Sequence, residues 1–171
     1  MLNIKLFYLI NHGCSNPVFD RLMPLVTFLG DGRFIIALAV ILVLIASRPK
    51  KMTGLLILAG LVISNFVIRT LKGFFAEPRP FMALKDVHIL VKELDKNHSL
   101  PSGHATLAFM AAVILASYFK RGYLFFLIAI AICFSRVYVG VHYPADVLAG
   151  AVVGSIIGLS LVLVAKKIRK E

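Results

Sequence analysis

An arginine, a histidine and a carboxylate share the run Ser-Arg-Val-Tyr-Val-Gly-Val-His-Tyr-Pro-Ala-Asp at positions 135–146. They follow an apolar segment, where ionisable groups are energetically unfavourable and mark functional sites. Pro144 is excluded from a helix interior but suits a first helical position, so the sequence predicts a helix starting there. His142 then lies just outside that helix and Asp146 in its first turn, from which a carboxylate can reach back as the acidic member of a capping box does. Asp146 can hold one ring nitrogen of His142 and leave the other free to attack. That is a nucleophile with its orienting group, and Arg136 is a ready partner for an anionic substrate.

Two other segments carry related chemistry. Lys72 and Arg79 flank the end of an apolar run, and Pro78 and Pro80 make the second half of that segment rigid and extended. The pair can clamp a group with several negative oxygens; the plainer alternative is snorkelling to the headgroups. Pro101-Ser102-Gly103-His104 reads as a helix start with Pro101 at the first position. The backbone N–H groups of Ser102 and Gly103 would then point outward with the positive end of the helix dipole, a setting that binds phosphate. Gly103 allows close approach, and His104 is a candidate proton donor; an ordinary helix start with a surface histidine is the alternative. His98, His104, His142 and Asp146 could instead ligate a metal, but Lys72, Arg79 and Arg136 already supply the positive charge, and the histidines lack the spacing of a helical zinc pair. No metal and no cofactor are expected.

These residues need elements to position them, and the composition says which. The chain has 171 residues, 60% of them hydrophobic, with a mean hydropathy of +0.91, far above the soluble average of about 45–50% apolar residues. The expected fold is an all-α polytopic membrane bundle. Five apolar runs, 34–47, 52–75, 101–119, 123–139 and 144–165, are read as about five transmembrane helices. The first is short and borrows Gly32 and Arg33. Residues 1–31, interrupted by Pro17 and Pro24, read as short interfacial helices ahead of one membrane domain over 32–171, with a span over 18–29 the less favoured reading. The net charge of +11 sits in short clusters between apolar runs and not on one soluble face, which argues against nucleic acid as a partner. Basic clusters around 48–51, 120–121 and 166–170 fall on one side of a five-crossing bundle and mark it as cytoplasmic. The 76–100 loop and the chemistry beside it are therefore expected on the outer side of a bacterial inner membrane. The two cysteines, Cys14 and Cys133, imply no disulfide framework. Residues 6–10 are too short for a signal peptide, so insertion is expected from the internal helices. Gly150, Gly154 and Gly158 form a stripe suited to close helix packing, within the bundle or in a dimer.

Such a topology brings the three segments to one face. Two histidines, three cations, a carboxylate and a helix N-terminus fit phosphoryl transfer, in which phosphate charge is balanced and a nucleophile is held in line. Lys72-x6-Arg79-Pro80, Pro101-Ser102-Gly103-His104 and Ser135-Arg136-x5-His142-x3-Asp146 together resemble the three-part signature of the type 2 phosphatidic acid phosphatases, in full and in order. The resemblance covers about residues 32–165. It implies a metal-independent membrane phosphatase acting on lipid phosphates or diphosphates, with a helical core shared with vanadium-dependent haloperoxidases. By that resemblance His142 is the nucleophile that forms a phosphohistidine, Asp146 its orienter and His104 the acid. Lys72, Arg79, Ser102, Gly103 and Arg136 would bind the phosphoryl oxygens. The expected partners are a lipid phosphate substrate and the bilayer. Phosphatidylglycerol phosphate, a prenyl diphosphate, phosphatidic acid and a lipid A phosphate all remain open. A phosphatase or phosphotransferase for soluble esters, and a non-catalytic lipid-binding protein, are the alternatives. The 81–100 loop is read as either an entrance gate or a connector.

Overall fold

The computed structural model describes residues 1–48, 50–91 and 97–169, and every regular element among them is helical. In chain order these are α1 (Leu2–Asn11), α2 (Pro17–Phe28), α3 (Gly32–Ile45), α4 (Lys50–Phe75), α5 (Pro80–Ala83), α6 (Gly103–Ala116), α7 (Tyr123–Tyr138) and α8 (Pro144–Ile168). Each of the five predicted runs overlaps one of α3, α4, α6, α7 and α8. Lys170, Glu93, Asp95 and part of the 81–100 loop lie outside the described residues.

Local chemistry explains the starts. Asn16 caps α2 by accepting from the N–H groups of Val18 and Phe19, with Pro17 at the first position. Asp31 caps α3 through the Arg33 N–H at 2.8 Å. At α8, Pro144 takes the first turn and Asp146 accepts the Tyr143 N–H at 2.8 Å, which is the capping box read from the sequence. Pro101 does not open a helix. Ser102 is the N-cap of α6, and its N–H donates to the carbonyl of Asp146 at 3.0 Å, a bond to a residue on α8 that local sequence does not encode.

The bundle is built around α6, which is buried on most of its surface and packs chiefly on α8, then on α7 and α4. The glycine stripe is the contact between α6 and α8. A Cβ on Gly150 would come within 2.6 Å of the Ser102 oxygen, one on Gly154 within 2.1 Å of the Thr106 oxygen, and one on Gly158 within 2.8 Å of the Met110 oxygen. The two rows advance in step, four residues at a time, so the stripe serves packing inside the chain. Ile57, Met110, Ile114 and Ile157 fill the core between α4, α6 and α8. Large apolar side chains such as Leu44, Val62, Phe66, Leu148, Val152 and Ile156 are exposed on the outside, an apolar surface suited to lipid.

Five full-length spans are not what the helix lengths give. Lys50–Ala83 and Pro144–Ile168 are each long and apolar enough to cross, and α2 with α3 qualifies as one span bent by 54°. At 14 and 16 residues, α6 and α7 fall short of the roughly 20 a span needs. The reason is visible at one end of the bundle. There the segments 99–102 and 139–143 are irregular and largely buried, taking up chain that would otherwise lengthen α6 and α7.

The N-terminal helices are built into that same end. Phe7 of α1 is fully buried among Ala105, Val137, Tyr143 and Val147, and Asn3 accepts the Ala145 N–H at 3.0 Å, satisfying a free donor at the start of α8. Asn11 donates to the carbonyls of His88 and Tyr138 at 2.8 and 2.7 Å and accepts the His88 N–H at 2.9 Å. It thereby ties α1 and the 84–91 segment to the end of α7.

Candidate active site

Lys72, Arg79, Gly103, His104, Arg136 and His142 line one cavity of about 670 Å³, together with Pro24, Thr27, Phe28, Asp31 and Val91. The three segments singled out in the sequence therefore meet. Lys72 comes from the last turn of α4, Arg79 from the cap of α5, Gly103 and His104 from the first turn of α6, and Arg136 from the last turn of α7. His142 sits in the connection after α7, which turns on Gly140 at φ +83°, a left-handed conformation that favours glycine.

His142 is 1% exposed. Its Nδ1 faces the Asp146 carboxylate at 3.4 Å and the Ser99 hydroxyl at 3.3 Å, and its Nε2 faces the Arg79 guanidinium at 3.3 Å. A guanidinium only donates, so the nitrogen beside it must present a lone pair. Nδ1, facing a carboxylate, is then the protonated nitrogen. Burial, followed by the positive charges of Arg136, Arg79 and Lys72, holds the His142 pKa well below the ordinary imidazole value. The ring is thus neutral with Nε2 bare, the form in which it can act as a nucleophile.

The cations are held firmly. Arg79 is almost fully buried and donates to the carbonyls of Asn97 and Val141 at 2.8 and 3.3 Å as well as facing His142. Arg136 donates to Thr27 Oγ1 at 3.0 Å, so α2 steadies a guanidinium at the end of α7. Asp146 stands behind His142, away from the cavity lining. Its Oδ2 also accepts a hydrogen bond from the Ser99 hydroxyl.

Ser102 departs from expectation. It is fully buried, absent from the cavity lining, and its N–H is committed to the Asp146 carbonyl, so that N–H does not point outward to a phosphate. Its hydroxyl has no hydrogen-bond partner among the described residues. Gly103, whose hypothetical Cβ meets only Ile68 at 3.9 Å, does line the cavity and admits a close ligand. Sequence reasoning missed Thr27, Asp31 and Ser99. The first two belong to the N-terminal region read as interfacial, and no spacing within the signature points to any of the three. Among the described residues, no cluster of three His, Cys, Asp or Glu side chains is arranged to hold a metal.

A family model described as the PAP2 superfamily matches residues 53–170, which contain every signature residue. The chain belongs to the PAP2 superfamily. It is 37% identical over 165 residues to the undecaprenyl-diphosphatase BcrC of Bacillus subtilis, covering 92% of this chain and 81% of that one. The undecaprenyl-diphosphatase of Sulfolobus acidocaldarius is 33% identical over 156 residues, covering 90% of this chain and 73% of that one. Among solved structures, Aquifex aeolicus LpxE is similar with a TM-score of 0.84 and 32% identity, covering 95% of both chains. Family and fold agree with the resemblance carried by the signature: this PAP2 protein is a membrane lipid phosphatase with an all-helical fold, a hydrolase of phosphate esters.

Proposed function

We propose that this PAP2 protein hydrolyses a polyprenyl diphosphate to the monophosphate through a phosphohistidine on His142. The observation that carries the chemistry is the buried, neutral imidazole whose bare Nε2 opens on a cavity lined by Lys72, Arg79 and Arg136. A substrate phosphoryl group draws the Arg79 guanidinium onto its own oxygens, and Nε2 attacks phosphorus in line. His104 takes up a proton when the anionic diphosphate binds beside it and gives that proton to the departing polyprenyl phosphate as the bond to the bridging oxygen breaks, and Asp146 stabilises the imidazolium character at Nδ1. Water then attacks the phosphohistidine, His104 takes its proton, inorganic phosphate leaves and His142 returns to its neutral state. Lys72, Arg79, Arg136 and the Gly103 backbone balance the phosphoryl charge, while Ser102, buried behind the lining, is left out of the phosphoryl contacts.

Two observations support a long apolar tail. Both undecaprenyl-diphosphatases align over nine-tenths or more of this chain. An apolar cleft of about 360 Å³ between α3, α6 and α7 begins one turn beyond the phosphate cavity, with Ala108 following His104 and Ile132 preceding Arg136. A soluble ester has no use for that cleft. The same reading puts the protein in a bacterial inner membrane, the 48–51 and 120–121 clusters on the cytoplasmic side and the cavity on the other. It also keeps residues 32–171 as the phosphatase unit, with α2 closing one wall of the cavity.

The test is phosphate release by the purified protein in detergent micelles from polyprenyl diphosphate, phosphatidic acid, phosphatidylglycerol phosphate, lipid A and a water-soluble monoester, with and without a chelator. The diphosphate is expected to give the highest kcat/KM, unchanged by chelation. A faster phospholipid or soluble ester would overturn the substrate assignment.

A further inference from the structure

We infer that Ser99 is a positioning residue for the nucleophile, the middle member of a His142–Ser99–Asp146 relay that decides which ring nitrogen carries the proton. The inference rests on the phosphohistidine reading above and extends it to a residue outside the signature.

Ser99 is fully buried and held by its backbone, whose N–H donates to the Glu77 carbonyl at 2.7 Å. That anchor lies two residues before Arg79, and Arg79 in turn donates from Nε to the Asn97 carbonyl at 2.8 Å. Segment 97–99 therefore braces the cation facing Nε2 and, through the Ser99 side chain, the groups facing Nδ1. At Nδ1 the direct contact to Asp146 is 3.4 Å, longer than a well-formed hydrogen bond, and the Ser99 oxygen is as close at 3.3 Å. A hydroxyl has one proton and two acceptor lone pairs. The Ser99 proton goes to the Asp146 carboxylate, which can only accept, and a lone pair is left for the ring N–H. Only a protonated Nδ1 fits that arrangement, and Nε2 is left bare on the cavity side. Tyr143 N–H also holds Asp146 Oδ2, so the carboxylate keeps its place without the Ser99 hydroxyl, while the imidazole loses that acceptor and is left with the Asp146 carboxylate and the Ser99 backbone, neither of which links the ring to the carboxylate through a shared hydroxyl.

Ser99 does not line the cavity, so Ser99→Ala is expected to lower kcat about ten- to a hundredfold, the scale of one hydrogen bond to a charged group, and leave KM unchanged. Ser99→Cys keeps nearly the same shape with a weak donor and acceptor, and is expected to lower kcat as well; it gives the reading if the alanine variant does not survive purification. Because the relay ends on Asp146, the effect of Ser99→Ala should largely vanish in an Asp146→Asn background. Wild-type kcat in either single variant, or an undiminished loss on top of Asp146→Asn, would overturn the relay. His142→Ala is the control. If it is inactive while the Ser99 variants are normal, the relay alone fails; if it turns over, the phosphohistidine reading fails with it.

Discussion

The surroundings of His142 disfavour a second proton on its ring. A charge on its ring would be buried and surrounded by Arg136, Arg79 and Lys72, so protonation is less favourable than for a free imidazole near 6.5. The sign follows directly: as pH falls through that value an exposed histidine charges, while His142 stays neutral, and loss of the neutral form is displaced to lower pH. Long-range 1H–15N spectra of histidine-labelled protein should show the His142 ring neutral at pH 6, protonated on Nδ1. An imidazolium at that pH would contradict the assignment. Removing Lys72 or Arg136 as alanine should lower kcat/KM on the order of 10²–10³-fold, the scale of a single preorganised donor to transition-state charge. A loss below tenfold for both would place them outside the phosphoryl site. The signature residues were legible because their types and spacing are local. What was not legible is what holds them: Thr27 reaches Arg136 across 109 positions, and the Ser102 N–H turns to Asp146 instead of the cavity, through bonds that exist only after the helices pack.

At the scale of elements, a helix start that rests on local rules was readable, as Pro144 with Asp146 illustrates, whereas the Asp31 cap of α3 was not read. The α6 start was displaced by two residues because proline is compatible with a first helical turn but does not require one, and a tertiary bond took the cap. The helices α6 and α7 are shorter than the apolar runs that contain them for a related reason: apolar composition continues past the point where irregular backbone takes over. The glycine stripe left a choice between internal packing and a dimer, and the register of Gly150, Gly154 and Gly158 on Ser102, Thr106 and Met110 decides for the former. Gly154→Ala should therefore destabilise the bundle by about 1–3 kcal/mol through overpacking against backbone and displace Asp146 with it. Gly73, with nothing within 4 Å of a built Cβ, gives the contrast: Gly73→Ala should be neutral or stabilising by up to about 1 kcal/mol. Thermal unfolding in micelles ranks the two, and equal melting temperatures would refute the packing account.

For the whole molecule, the basic connections and the cavity lie at opposite ends of the bundle. A cysteine replacing His98 in a background without Cys14 and Cys133 should react with a membrane-impermeant maleimide in right-side-out spheroplasts, and one replacing Arg121 only after lysis. The reverse pattern would put the cavity on the cytoplasmic side. The claim on which everything else depends is that phosphorus is transferred to His142 before it reaches water. Rapid quenching of the wild-type protein with polyprenyl diphosphate labelled in its terminal phosphate, followed by peptide mapping under alkaline conditions, measures this directly. The account predicts an acid-labile, alkali-stable phosphate on His142 that forms and decays at rates compatible with turnover. Label on another residue, or full turnover by a His142→Gln variant, would contradict it.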